Sequence, residues 1–426
     1  LINLDKTIFE YIDNYHIYNF DVYNKVINKY FSTYTSMITR RNQKFFSNNP
    51  LEIRNLFNIH YRFIEKFLLS NSIKYVILPP SFSAGFDLLV GILPSYFGIK
   101  TIFVENFHSK RFFFTLDWQD WGHFRTSKDL FESQKVYIYK EDPVRLFYLS
   151  QFEKITKNKN YKNKLFFYYK FFLFLILIFI ISFFSKKILV KSFYELSFKL
   201  SRKASNVAFN VNKVKLVNNE INNLNFPYVY FPLSYQPEAT TLSFGDEHDD
   251  QLIAIEKTAK LIPSNWKILI KEHPYQNDPS YRSNLFYKRI KSINNVEFIP
   301  LKKFENLQLI TSSKFVATVS GNTGWESIRM NKPVLVFGRP WYLTCPGVLQ
   351  YLNVSNYQQL LDLEWNLEDI SNHFLILSKK MGVGLITLDY SKSKDIFNNF
   401  KETEIDLEKN IEEVVDSITK IIFNLE

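Results

Sequence analysis

The chain has 426 residues, 46% of them hydrophobic, one cysteine and a formal charge of +11 from 53 Lys and Arg against 42 Asp and Glu. That length exceeds one ordinary domain and can supply two cores of about 150 to 200 residues each. A lone Cys345 excludes an internal disulfide and a cysteine-rich metal site, and reads as a buried small hydrophobe in a reducing compartment. The positive charge suits nucleic acid, anionic lipid or an anionic substrate, but the lysines gather around one long apolar stretch and no nucleic-acid motif is present. No nucleic-acid partner is therefore expected. Aromatic residues reach 18%, with 43 Phe and 26 Tyr, which demands much apolar burial in a core or a bilayer.

No secretory signal is read at the start, because Asp5, Lys6, Glu10 and Asp13 interrupt it, so a cytoplasmic location is expected. Residues 1 to about 70 show helical spacing, as in Ile8, Tyr11, Ile12 and Tyr15 and again in Tyr61, Ile64, Phe67 and Leu68. Lys74 to Leu78 reads as a strand, Leu88 to Phe97 as a helix stopped by Gly98, and Lys100 to Glu105 as a second strand. This is a βαβ unit and implies a parallel sheet. Asn106 to Phe124 mixes His108, Lys110, Arg111, Asp117, Trp118, Asp120 and Trp121 after a strand and reads as part of a cleft wall.

Leu165 to Phe184 is apolar or aromatic except for Lys170 and Ser182, long enough to cross a hydrocarbon core of about 30 Å. Lysines flank both ends, so charge gives no orientation. A single crossing would part the halves of one active site. The favoured expectation is a helix or helical hairpin dipping into the cytoplasmic leaflet; a helix buried between domains and a true span remain open.

From Tyr228 the pattern alternates. Strands are predicted at Tyr228 to Leu233, Trp266 to Lys271, Val296 to Ile299, Phe315 to Ser320 and Pro333 to Phe337. Helices are predicted at Asp249 to Leu261, Asn284 to Ile293, Lys303 to Ser312, Trp325 to Met330 and Leu407 to Phe423. Such alternation builds a doubly wound parallel sheet, whose ligands bind at the carboxyl ends of the strands. Three strand exits carry chemistry. Lys271, Glu272, His273 and Pro274 leave one strand, where imidazole can donate to a phosphate oxygen and lysine can neutralise it. Ser320, Gly321, Asn322, Thr323 and Gly324 form a turn before a helix, where N–H groups and hydroxyls converge on an anion, and Glu326 just inside can accept from ribose hydroxyls. Gln236 and Glu238 follow the first strand of this half, and a carboxylate there can act as nucleophile or base, or simply start a helix. Asp246 to Asp250 could be read as a metal cluster but suits a helix N-terminus better, so no metal site is expected.

In Phe231-Pro-Leu-Ser-Tyr-Gln-Pro-Glu238, Lys271-Glu-His-Pro274, Ser320-Gly-Asn-Thr-Gly-Trp-Glu326 and Lys332-Pro-Val-Leu-Val-Phe-Gly338 the chain resembles the capsule polysaccharide synthesis family, clearest over Tyr228 to Tyr342. The resemblance implies an α/β, GT-B-like fold of two Rossmann-like domains facing a cleft; the apolar, membrane-associating segment is placed between them by its composition. The domains would be 1–150 on the acceptor side, 151–225 for the lysine-flanked insertion, and 226–426 for nucleotide-sugar binding. It also implies transfer of a sugar from CMP-Kdo or a related CMP-ulosonate; the lysine-flanked apolar segment adds the expectation of a lipid-linked or growing glycan as acceptor at the cytoplasmic face of the inner membrane. Glu238 and His273 would be catalytic. Lys271, His273, Pro274, Ser320, Gly321, Asn322, Thr323, Gly324 and Glu326 would hold the nucleotide, and Gln236, Arg111 and Asp117 would line the acceptor side. No cofactor beyond the donor is expected. The alternatives are a CDP-activated glycerophosphate transferase and a non-catalytic synthesis or export scaffold.

Overall fold

A computed structural model describes residues 19–41, 50–82, 84–107, 110–135, 221–236, 239–274, 276, 282, 284–301, 303–386 and 407–425. The first predicted helix with Ile8, the apolar stretch from Leu165 and the candidate Glu238 lie outside them. No helix among the described residues is long and apolar enough to cross a membrane.

Two sheets organise the chain. The first begins with helices α1 (Phe20–Arg41) and α2 (Pro50–Ser70), then strand β1 (Tyr75–Leu78), helix α3 (Gly85–Tyr96), and strands β2 (Lys100–Phe107) and β3 (Arg111–Thr115). β1 and β2 pair in parallel, as the βαβ pattern requires, but β3 folds back antiparallel on β2. The segment read as cleft wall thus contains a strand, because Phe112 and Phe114 alternate with Phe113 and bury on opposite faces. The chain returns here at its far end: β10 (Met381–Val383) pairs antiparallel with β3. A last helix (Leu407–Phe423, numbered α10 below) covers one face through Ile418, Ile421 and Ile422, against Ile102, Val104, Phe112 and Phe114. The βαβ unit is parallel as expected, but β3 and β10 make the sheet mixed. The sequence boundaries placed everything after 226 with the second domain, whereas β10 pairs within the first sheet, its three-residue run carrying no alternation long enough to read.

The second sheet holds β4 (Tyr228–Pro232), β5 (Lys267–Lys271), β6 (Val296–Ile299), β7 (Phe315–Thr318), β8 (Val334–Val336) and β9 (Val348–Gln350), in the order β6-β5-β4-β7-β8-β9, every pair parallel. Period-two alternation divides its side chains. Val229, Phe231, Ile268, Ile270 and Ala317 pack with Leu252 and Ile255 of α5 (Gln251–Leu261) and Tyr287 and Ile290 of α6 (Asn284–Lys291). Tyr228, Tyr230, Leu269 and Val316 face Leu309 and Ile310 of α7 (Asn306–Ser312) on the other side. Helix α8 (Asn322–Arg329) joins β7 to β8 and adds Trp325 and Ile328 to a core shared with the first sheet, alongside Phe244 from the short helix α4 (Ala239–Phe244). β4 to β6 step outward in one direction and β7 to β9 in the other. The winding reverses between β4 and β7.

Candidate functional site

That reversal falls between β4 and β7, and at the carboxyl ends of two such strands an open α/β sheet has the crevice in which ligands bind. Three predicted loops meet there. After β7, Gly321 is the extended cap of α8, and its N–H donates to Thr318 Oγ1 at 3.2 Å. A Cβ on Gly321 would lie 3.5 Å from Ser234 Oγ, so the exit of β4 sits against the β7 turn. Ser320 is buried, and its hydroxyl has no hydrogen-bond partner among the described residues. A buried hydroxyl left open at a strand exit is where a water or a ligand oxygen belongs. Asn322 is exposed and Thr323 half-buried, both at the first turn of α8, where the helix field favours an anion.

Gly324 has a packing reason. Its Cβ would stand 2.1 Å from the hydroxyl of Tyr342, a buried ring whose O–H donates to the Gly321 carbonyl. The glycine lets Tyr342 brace the turn from behind. Burial first, then Cys345 and Glu326, push the Tyr342 phenol up, so it stays a neutral donor. Glu326 is therefore placed near Tyr342.

After β5, His273 is half-buried with its ring 5.7 Å from that of Tyr235. Burial, then the charge of Arg282, hold its pKa below the usual value, against an opposing pull from Glu272. A neutral imidazole at pH 7 can donate one N–H and accept on its other nitrogen. Pro274 is exposed beside it. Lys271 is placed differently from the expectation: its Nζ is engaged at 2.8 Å by the Phe304 carbonyl and at 2.8 Å by Asn306 Oδ1, on the α7 face of the sheet. The reason is parity, since Lys271 shares the face of Leu269 while the exit turns only after it.

After β4, Gln236 donates its N–H to Gln276 Oε1 at 2.8 Å, and its side-chain amide reaches the Asp249 carbonyl. Gln236 thus ties two loops together, whatever else it touches. Arg111 is corrected: its guanidinium donates to the carbonyls of Ser378 (2.9 Å), Met381 (3.2 Å) and Glu132 (3.3 Å) and to Gln134 Oε1 (2.9 Å), fastening β10 to β3. Asp117 caps a short 3-10 turn, accepting from Gln119 N–H at 2.9 Å. The acidic run resolves likewise: Asp250 caps α5, Asp246 pairs with Arg339 at 3.1 Å, and Glu247 bonds Lys257. Among the described residues no group of three or more His, Cys, Asp or Glu could hold a metal.

The motif Asp117 to Gly122 holds the two sheets together. Trp121 stacks on Phe244 at 5.7 Å, and Trp118 Nε1 donates to the Pro80 carbonyl at 3.0 Å. Gly122 adopts φ +86°, and any Cβ there would strike the Pro340 carbonyl. Arg339, just past β8, crosses the junction. It is buried, donates to the Trp118 carbonyl at 2.8 Å, and lies over the Trp118 ring at 5.1 Å. Sequence reading missed Arg339, Tyr342, Gln251, Gln276, Arg282 and Tyr287. Each acts through a contact with a residue far away in sequence, which no periodicity announces.

Fold and site define an α/β protein with a doubly wound sheet and an anion-suited crevice at its switch point. Residues 189–359 match the family model for capsule polysaccharide biosynthesis proteins, and the motifs that carried the resemblance fall inside that span. Among solved structures, the chain is similar to a KpsC beta Kdo 2,7 transferase from Thermosulfurimonas dismutans, 14% identical over 42% of this chain and 55% of that one, TM-score 0.28. A KpsC beta Kdo 2,4 transferase from the same organism is 19% identical over 40% and 53%, TM-score 0.24. The UDP-GlcNAc 2-epimerase of Methanocaldococcus jannaschii is 15% identical over 78% and 82%, TM-score 0.28. The chain matches about half the length of the two transferases. No curated protein matches significantly.

Proposed function

We propose that this protein is a nucleotide-sugar-dependent glycosyltransferase of capsule or surface polysaccharide biosynthesis, GT-B-like in plan, with CMP-Kdo or a related CMP-ulosonate as donor. The observation that carries it is that the exit of β4 touches both the β7 turn, through Ser234, and the His273 ring, through Tyr235, at the β4–β7 reversal and inside the span matched by the capsule family. The β7 turn would take the donor phosphate through Ser320, Gly321 and the first N–H groups of α8. His273, neutral and half-buried, would donate to the leaving phosphate oxygen, and pre-set donors of this kind stabilise charge as it develops. Glu238 remains the candidate nucleophile or base from its place in the sequence. The acceptor would be a lipid-linked or growing glycan at the cytoplasmic leaflet, a part of the proposal that rests on the composition of Leu165 to Phe184 and its flanking lysines.

Titration of the protein with CMP, UDP, GDP and CDP, followed by thermal unfolding, tests the reading. A ligand at a hundred times its dissociation constant adds about 2.7 kcal/mol. Stabilisation by CMP supports the CMP-sugar donor, stabilisation by UDP or GDP replaces it, and no response to any nucleotide overturns the assignment. His273→Ala is expected to abolish transfer while unfolding at the wild-type temperature.

A further inference from the structure

Behind the crevice lies a set of buried groups that the proposed chemistry does not use. The Arg282 side chain, on the approach to α6, is fully withdrawn from solvent, and so is that of Glu272. One end of the guanidinium, Nη1, donates to Glu272 Oε1 at the exit of β5; the other, Nη2, donates to the Ser234 carbonyl at the exit of β4. Glu272 Oε1 also accepts the His273 N–H at 2.9 Å, and Glu272 Oε2 accepts from Tyr287 O–H at 2.7 Å. Ser234 is held again by Gln251, which takes its N–H at 2.8 Å and donates to its carbonyl at 3.2 Å. Two residues on, Gln276 donates to the Gln236 carbonyl at 2.9 Å and sends its own N–H to the His273 carbonyl at 3.0 Å.

Enclosing two charges costs about what their attraction returns, so an apolar pair of equal volume would hold the core as well. An apolar pair cannot fix direction. A guanidinium is a rigid planar fork whose donors leave at set angles, and here its two ends reach the two loops that flank the crevice. Between those contacts stands Tyr235, against the His273 ring.

We infer that Arg282 is a positioning residue: it clamps the loop after β4 to the loop after β5 and so sets where the His273 ring stands relative to Ser234 and the β7 turn. Glu272 and Tyr287 orient the clamp from the β5 side. The inference rests on the reading that this crevice holds a nucleotide-sugar, and its test has a readout that does not.

The chain has 7 histidines, so their ring signals can be followed by NMR, with those of His273 assigned by their loss in His273→Ala. In Arg282→Lys a compact ammonium with rotatable donors replaces the rigid fork, so the angle between the contacts to Ser234 and Glu272 is no longer fixed. That variant is expected to fold, to move the His273 ring signals, and to bind CMP about tenfold more weakly or worse. Tyr287→Phe should move the same signals less. Unmoved His273 signals in folded Arg282→Lys overturn the clamp, as does unchanged CMP affinity with moved signals. Moved signals in a protein whose wild type binds no nucleotide keep the clamp and overturn the nucleotide-sugar reading instead. Should Arg282→Lys fail to fold, unmoved signals in Tyr287→Phe make Arg282 structural only and overturn the inference.

Discussion

The two sheets are stabilised by different means. The first is assembled from rings: Phe113 stacks on Phe124 at 4.7 Å, Phe107 on Phe374 at 5.0 Å, and Tyr34 meets Phe57 edge-on at 5.0 Å. Its polar groups close local gaps, as Asp120 does by accepting the Thr126 N–H at 2.7 Å, or fasten strands, as Arg111 does between β3 and β10. The second sheet's parallel core mixes rings such as Tyr228, Tyr230, Phe231 and Phe315 with Val, Ile and Leu, and it adds a set of buried polar groups at the strand exits, where Gln251, Gln276, Glu272 and Arg282 converge. Ring packing is tolerant of direction and holds mass in place, whereas hydrogen-bonded loops are fixed in angle. The half built for angular accuracy is the half that carries the crevice.

Substitutions can break that contrast. The largest expected loss comes from Trp121→Ala, which removes a buried ring shared by both sheets and should cost about 3 to 5 kcal/mol by denaturant unfolding. Acid should act next, and on the first half. Burial lowers His60 to about 4, with Tyr34 O–H at 2.8 Å from its Nδ1. A histidine held below its unfolded value contributes stability above pH 6.5 that is lost as pH falls through the window to about 4, roughly 3 kcal/mol in all. His60→Gln should flatten that part of a stability-against-pH curve. Gly324→Ala should cost about 1 to 3 kcal/mol through the clash with Tyr342, and should weaken nucleotide stabilisation more than the Trp121 change does in the fraction that remains folded. The smallest effect is a gain. Burial raises Glu105 to about 6, so its charged form weakens the fold as pH rises from the unfolded value toward 6 and beyond. Glu105→Gln should therefore raise stability by about 1 to 2 kcal/mol at pH 7, with no change at pH 4.

Much of the second sheet was legible in the sequence because short aliphatic strands alternate with amphipathic helices. Val296 to Ile299 coincides with its observed strand, and the other predicted elements of this sheet differ at their ends by a few residues; the last helix, Leu407 to Phe423, was also read to the residue, though it packs on the first sheet. The first sheet was less legible. Arg111 to Thr115 holds three consecutive Phe with no polar alternation and looks like a loop wall, and β10 is too short for any period to show. Of the site, the sequence located the turns at His273 and Ser320, since glycine, proline and hydroxyl residues announce strand exits. It misread Lys271 and Arg111, because a cation beside a motif looks the same whether it faces a ligand or a carbonyl. Arg282 and Arg339 escaped, because their work is defined by atoms at Ser234 and Trp118.

The pairing of β3 with β10 joins Arg111–Thr115 to Met381–Val383, and α10 seals the same sheet. On a ribosome adding roughly 5 to 20 residues per second, the first half to emerge must wait tens of seconds for its last strand and its lid. The second sheet, complete by Gln350, can close while that wait continues. The face of β2 and β3 formed by Ile102, Val104, Phe112 and Phe114 is thus the last to be covered during synthesis, and the half that emerges first is the last to be finished.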